Sequence, residues 1–265
     1  MISVGMLGCG NMGGAILRAW ADLQSLRGRV DLLAHDLCPE RCALSGVKTV
    51  PTAADLAREA DWLILALKPK DLPKVLQDLA PLLTPDKLLV SIAAGLGSES
   101  VKRHSGGRCP VILVMPNTPA MVCQGLFGVC LDDPLLQDEQ RRLARDLFSS
   151  LGEIIELPES SLAAFSALYG CGPAYIYYFL DALVEAGAHL GFARQETERL
   201  VLALARGSVD LAESGADSLP ILREKVCSPG GTTIEAMQSM DLAAVRGHIV
   251  RAVLAAWEKG KAAQT

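Results

Sequence analysis

Aromatic residues are scarce in this chain: five Phe, four Tyr and three Trp among 265 positions. Half of the residues are hydrophobic all the same, so a sizeable core is available. No apolar run approaches the roughly 18 residues of a membrane span. No basic leader opens the chain either. ISVGMLG is strand-like from residue 2, and the expectation is a soluble, cytoplasmic protein without a membrane partner. Positive charge is not in excess: the formal net charge is −5 and no basic stripe is present, which gives no ground for a nucleic-acid partner. The eight cysteines include no CxxC pair. Cys38 and Cys42 bracket CPERC without a second Cys/His pair at metal spacing, and the four histidines are isolated. Reduced thiols and no metal site are expected.

What the chain does have is an alternating pattern followed by a helical one. Strand-like runs occupy Ile2–Leu7, Val30–Ala34, Trp62–Leu67, Leu88–Ile92 and Val111–Val114, with weaker ones at Phe127–Leu131 and Glu153–Leu157. Helix-like stretches lie between them at Gly14–Ala21, Ala53–Ala60, Leu72–Leu79 and Gln137–Leu151. This alternation predicts βαβ units and a parallel sheet. After the polar hinge PESS, Leu162–Leu190, Arg194–Glu213 and Leu242–Ala263 carry apolar residues at helical spacing, with Asp241 as N-cap of the last. The expected fold is α/β: an N-terminal Rossmann dinucleotide-binding domain over 1–158, then an all-helical domain over 159–265. The second half has more apolar residues than one small bundle buries, so it is read as a subunit interface.

Gly8-Cys9-Gly10-Asn11-Met12-Gly13 fits GxGxxG between a strand and a helix, the setting that a dinucleotide fingerprint requires. Gly8 suits the tight turn, Gly10 the approach of a pyrophosphate, and Gly13 close packing of helix on strand. At the end of the second strand Asp36 lies 23 residues past Gly13, where an acid meets the ribose of NAD, but Arg41 follows and suits the 2′-phosphate of NADP. Both cofactors stay open on this pattern. Lys68-Pro69 and Pro116-Asn117-Thr118-Pro119 also follow strands, where ligands of such sheets bind.

A second glycine cluster lies in VCSPGGTTIEAM, Val226–Met237. Thr232 and Glu235 match a capping box, which predicts a helix with Thr232 as N-cap and leaves the Thr233 hydroxyl free. The helix N-terminus behind Gly230 and Gly231 would suit an anion such as a carboxylate, and an ordinary helix start fits the same local pattern.

From end to end the chain resembles the pyrroline-5-carboxylate reductase family. The resemblance is carried by GCGNMGGAI at Gly8–Ile16, ALKP at Ala66–Pro69, VSIAAG at Val90–Gly95, MPNTPA at Met115–Ala120, GCGPAY at Gly170–Tyr175 and VCSPGGTTIEAM. It implies an N-terminal Rossmann domain, a helical domain that builds an intertwined dimer or larger homo-oligomer, and NAD(P)H-dependent reduction of 1-pyrroline-5-carboxylate to L-proline. It implies a cofactor site at Gly8, Gly10, Asn11, Met12, Gly13, Asp36, Ala66, Lys68 and Pro69, with Asn117 and Thr118 lining the nicotinamide pocket. It also implies a substrate site at Ser228, Gly230, Gly231, Thr232 and Thr233, facing the nicotinamide of the neighbouring subunit, with the Thr233 hydroxyl on the ring nitrogen. Three departures stand out. Tyr169 precedes Gly170-Cys171-Gly172-Pro173 where the family has a small serine, Arg223-Glu224 replaces a Lys-Asp pair, and Ala216–Pro220 replaces a Glu-His-Pro region, which leaves Asp217 as its acid. Alternatives are a reductase of a related cyclic imine and a non-catalytic NAD(P)-binding protein. The β-hydroxyacid dehydrogenases share the layout but use a lysine after the hinge, and this chain has none between Lys102 and Lys225.

Overall fold

In the computed structural model the described residues are 1–262 apart from 24, 25 and 27. They form two compact units, Met1–Pro173 together with the end of the last helix from Ala256, and Ala174–Ala255.

The first unit is built on one eight-stranded sheet. Its strands are β1 (Ile2–Leu7), β2 (Val30–His35), β3 (Val47–Thr49), β4 (Trp62–Leu65), β5 (Leu88–Ser91), β6 (Val111–Met115), β7 (Gly125–Cys130) and β8 (Gly152–Glu156), in the order β3-β2-β1-β4-β5-β6-β7-β8. The chain runs outward from β1 to β3 on one side and from β4 onward on the other, so the crevice at the carboxyl ends of β1 and β4 is the switch point where ligands of open α/β sheets bind. The sheet is not wholly parallel: β7 runs antiparallel to β6. The reason is the connection. Only a short 3-10 turn, Thr118–Val122, lies between them, and a parallel pair needs a crossover of a dozen or more residues.

Helices cover both faces. On one lie α1 (Asn11–Asp22) and α5 (Asp138–Ser149); on the other lie α2 (Ala53–Glu59), α3 (Leu72–Leu79) and α4 (Ser98–Ser105). The buried stripe of α1 is Gly13, Ile16, Leu17 and Trp20, one face of a helix, and each large side chain there stabilises by about 1.5–3 kcal/mol. Trp20 meets Phe148 of α5 edge-on at 5.6 Å, and its indole N–H donates to the Leu147 carbonyl at 2.9 Å.

The first unit continues beyond 158 because Phe165 of the short helix α6 (Leu162–Phe165) seats against β7. A Cβ at Gly128 would come within 2.8 Å of its ring. The expected single run Leu162–Leu190 is interrupted: α6 opens into a wide π-type turn at Ser166–Gly170 before α7 (Gly172–His189).

The second unit holds most of α7, then α8 (Arg194–Ser214), α9 (Leu219–Val226), α10 (Thr232–Leu242) and most of α11 (Val245–Ala262). Asp241 does not cap α11; it belongs to the last turn of α10, and the expected end at Ala263 lies outside the described residues. No residue of α9, α10 or α11 is buried in the single chain, while Tyr178, Leu190, Leu219 and Leu242 are each more than 70% exposed. Faces of this kind mark an association surface. No helix among the described residues is long and apolar enough to cross a membrane.

Candidate functional site

The loop between β1 and α1 separates three glycines by what each must do. Gly8 has φ +98°, and a Cβ there would come within 2.8 Å of the Ala66 carbonyl oxygen at the end of β4. At Gly13 a Cβ would stand 2.2 Å from the Gly8 carbonyl oxygen, so helix and loop could not close. Gly10 differs: its Cβ would meet nothing within 4 Å. The chain's own packing requires Gly8 and Gly13. Gly10 borders open space, which suits close approach by a ligand. Gly10 is also the N-cap of α1 and no side chain caps it, so the first amide groups of the helix lack a side-chain acceptor.

Gly10 and Gly13, with Asn11 and Met12 between them, line a cleft of about 430 Å³ together with Ala66, Leu67, Lys68, Pro69 and Arg41, whereas Gly8 does not line it. Ile92, Ala93 and Ala94, after β5, form its far wall. Their motif was visible in the sequence, but a ligand-lining role was not. Uncapped amides, a helix dipole and two cationic side chains fit a pyrophosphate. A wider open groove of about 560 Å³ between α9 and α10, lined by Arg223, Cys227, Met237 and Leu242 among others, includes none of Ser228–Thr233 and has no glycine cradle.

Asp36 stands behind the loop. Its Oδ2 accepts the Cys9 N–H at 2.7 Å and its Oδ1 the Cys38 N–H at 2.9 Å. The carboxylate therefore ties the glycine loop to the segment after β2, while Arg41, 3.9 Å from it, is more than half exposed and lines the cleft. Asn117 is buried with both ends of its amide engaged: Nδ2 donates to the Tyr169 carbonyl at 3.1 Å and Oδ1 accepts the Leu126 N–H at 2.9 Å. It braces the π-type turn against β7. Thr118 beside it is exposed, and neither residue lines the 430 Å³ cleft. Tyr169 itself packs against Phe165, the rings tilted by 45° with centroids 5.0 Å apart, and stays 40% exposed.

In the second unit, Ser228–Gly231 forms a turn closed by Gly231 N–H to the Ser228 carbonyl at 3.0 Å, with Gly230 at φ +66°. Pro followed by a positive-φ Gly is the type II arrangement. The expected capping box does not form. Gly231, extended at φ −83° and ψ 169°, is the N-cap of α10, and no side chain caps it. The turn closes one residue earlier than the Thr-x-x-Glu pattern implies, so Thr232 and Thr233 both fall inside the first helical turn. The start of α4 shows what an occupied terminus looks like: it too has a glycine N-cap, but Glu159 accepts the Ser98 N–H at 2.9 Å.

Residues 159–263 match the pyrroline-5-carboxylate reductase dimerisation family, and residues 3–95 match the family described as NADP oxidoreductase, coenzyme F420-dependent. The pyrroline-5-carboxylate reductase of Escherichia coli (strain K12) is 31% identical over 263 residues, 97% of each chain. That of Glycine max is 32% identical over 262 residues, 98% of this chain and 95% of its own. Among solved structures, Plasmodium falciparum pyrroline carboxylate reductase with NADP bound superposes with a TM-score of 0.90 at 30% identity, covering all of this chain and 98% of that one. With similarity of this extent running through both glycine loops, the chain belongs to the pyrroline-5-carboxylate reductase family.

Proposed function

We propose that this protein reduces 1-pyrroline-5-carboxylate to L-proline with NADPH, and more weakly with NADH. The observation that carries the reading is that α1 and α10 both begin on glycine N-caps that no side chain caps. One terminus suits a pyrophosphate, the other a carboxylate. Family membership supplies the pairing of these two sites with imine chemistry.

Bound NADPH supplies a hydride from its nicotinamide ring. The chain's residues hold and orient. The amides after Gly10, with Lys68, Pro69 and Ala66 around them, receive the pyrophosphate. Arg41 is assigned the 2′-phosphate, since the carboxylate of Asp36 already serves the loop. Asn117 and Thr118 shape the nicotinamide end beyond β6, Asn117 by holding Tyr169 in place. The backbone at Gly230 and Gly231, with Ser228 and Thr232, takes the substrate carboxylate. The Thr233 hydroxyl is assigned to the ring nitrogen. The protonated imine carbon is already a good hydride acceptor, so alignment of donor and acceptor is the main catalytic task, and such alignment contributes several kcal/mol.

Residues 1–158 are assigned to the cofactor and 159–265 to the substrate and to self-association as a homodimer or larger homo-oligomer. The apolar faces of α7 to α11 and the dimerisation-family match support association. The test is consumption of NADPH or NADH on addition of 1-pyrroline-5-carboxylate, with L-proline identified as product. Cofactor binding without consumption would overturn the assignment and move attention to other cyclic imines.

A further inference from the structure

Outside the roles assigned above, one pair of side chains is unexplained. Cys9, between the first two glycines of the loop, and Cys42, at the end of the 3-10 turn Pro39–Cys42, bring their sulfurs within 3.0 Å. Both side chains are buried. The contact links two segments that line the cofactor cleft, since Gly10 follows Cys9 and Arg41 precedes Cys42.

We propose that Cys9 and Cys42 are an oxidative modification site: hydrogen peroxide joins them in a reversible disulfide that draws the glycine loop out of its cofactor-binding shape. The functional consequence rests on the cofactor site proposed above; the bond itself does not. In the chemistry, one thiol, as its thiolate, attacks a peroxide oxygen. The O–O bond breaks, leaving a sulfenic acid and hydroxide. The second sulfur displaces the sulfenic oxygen, which leaves as water once the second thiol's proton is taken up. Two thiols are oxidised and one peroxide is reduced to two waters, and a small thiol reductant reverses the bond by exchange.

Closing the pair to a covalent S–S length moves the sulfurs about 1 Å toward each other. Both sides are anchored: the Cys42 carbonyl accepts the Leu44 N–H at 2.8 Å and the Thr49 hydroxyl at 3.3 Å, and the Cys9 N–H is held by the Asp36 carboxylate at 2.7 Å. Closing the bond therefore strains both segments, and the part of that movement taken up by the glycine loop shifts its amides from the positions that receive a pyrophosphate. Losing one charge-assisted hydrogen bond to the pyrophosphate in this way weakens binding by about tenfold or more.

Burial pushes both thiols up, Cys9 further, helped by the contact with Cys42. With the loop closed the pair reacts slowly, and oxidation proceeds when the loop opens. Bound NADPH, by holding the loop closed, protects the pair.

The full-length protein is treated with hydrogen peroxide and then mapped by mass spectrometry. The expected result is a loss of about 2 Da per chain, a peptide linking Cys9 to Cys42, and NADPH affinity, followed by cofactor fluorescence, at least about tenfold weaker until dithiothreitol restores it. Saturating NADPH during oxidation should slow the bridge. In Cys42→Ala no bridge should form and peroxide should leave NADPH affinity unchanged. Absence of a Cys9–Cys42 peptide in the wild type, a bridge through Cys38 instead, or a bridge that leaves NADPH affinity intact would each overturn the proposal. None of these readouts uses the imine substrate, so they stand apart from the test of the reaction.

Discussion

The Asp36 carboxylate accepts the Cys9 N–H at 2.7 Å, although the residues are 27 positions apart. An acid that sequence pattern associates with ribose recognition thus fastens the glycine loop itself. Asp36→Ala should unfasten it. Loss of an acceptor serving two amides is expected to lower stability by about 1–3 kcal/mol and to weaken NADPH and NADH binding together. Thermal denaturation with and without cofactor checks this. A variant with wild-type stability and selectively altered NADH affinity would return Asp36 to the ribose.

In the proposed site Arg41 is the group left to discriminate between the cofactors. Arg41→Ala should weaken NADPH binding about tenfold, the loss of one charged hydrogen bond, and leave NADH binding within about twofold. Equal losses for both cofactors would mean that Arg41 serves the shared phosphates.

The glycines of the loop should behave differently from one another. Gly13→Ala forces a Cβ to 2.2 Å from a backbone oxygen and should destabilise the fold by about 1–3 kcal/mol or more. Gly10→Ala meets no atom and should fold with stability within about 1 kcal/mol of wild type. Its added methyl should still cost at least tenfold in NADPH affinity, because it occupies the space the pyrophosphate needs. Isothermal titration on the two purified variants separates the cases, and undiminished NADPH binding by Gly10→Ala would place the phosphates elsewhere.

A buried acid in the same unit carries a pH signature. Asp133 accepts the Val111 N–H at 2.8 Å and the Leu135 N–H at 3.0 Å, and meets the Lys102 ammonium at 2.7 Å. Burial alone would push its carboxyl up, but Lys102 and the two amides outweigh that and hold it below the usual carboxylate range. A depressed folded value means that its stabilisation is complete above the unfolded pKa, near 4, and is lost as pH falls through the folded one. Lys102→Met should therefore cost about 3 kcal/mol at neutral pH, and the gap should narrow in acid, where a protonated Asp133 no longer needs its partner. A gap independent of pH would mean that Lys102 contributes by packing alone.

Much of this architecture is legible in the sequence. Ile2–Leu7 and Leu72–Leu79 form with the expected bounds, because a buried parallel strand and an amphipathic helix each leave a local pattern. What escaped is non-local. β3 is a three-residue edge strand whose register comes from β2. α4, SESVKRHS, is polar and draws its N-terminal acceptor from Glu159, 61 positions on. α10 starts a residue early because the turn before it supplies a glycine cap, a choice between two adjacent candidates that pattern does not rank. The lining of the 430 Å³ cleft is mostly legible because its glycines and Lys68 lie in contiguous motifs. Asp36 and Arg41 are equal candidates by pattern, and the bonds from Asp36 to the Cys9 and Cys38 amides belong to the folded chain alone.

The central claim is that the Ser228–Thr233 turn and the Thr233 hydroxyl serve imine reduction. The most direct measurement is the steady-state rate of NADPH oxidation by 1-pyrroline-5-carboxylate for wild type, Thr233→Ser and Thr233→Ala. Rapid turnover that Ser retains within about tenfold and Ala loses by about 100-fold, with NADPH affinity unchanged throughout, is the expected result. Equal rates for all three proteins, or no oxidation by a wild type that binds NADPH, would contradict it.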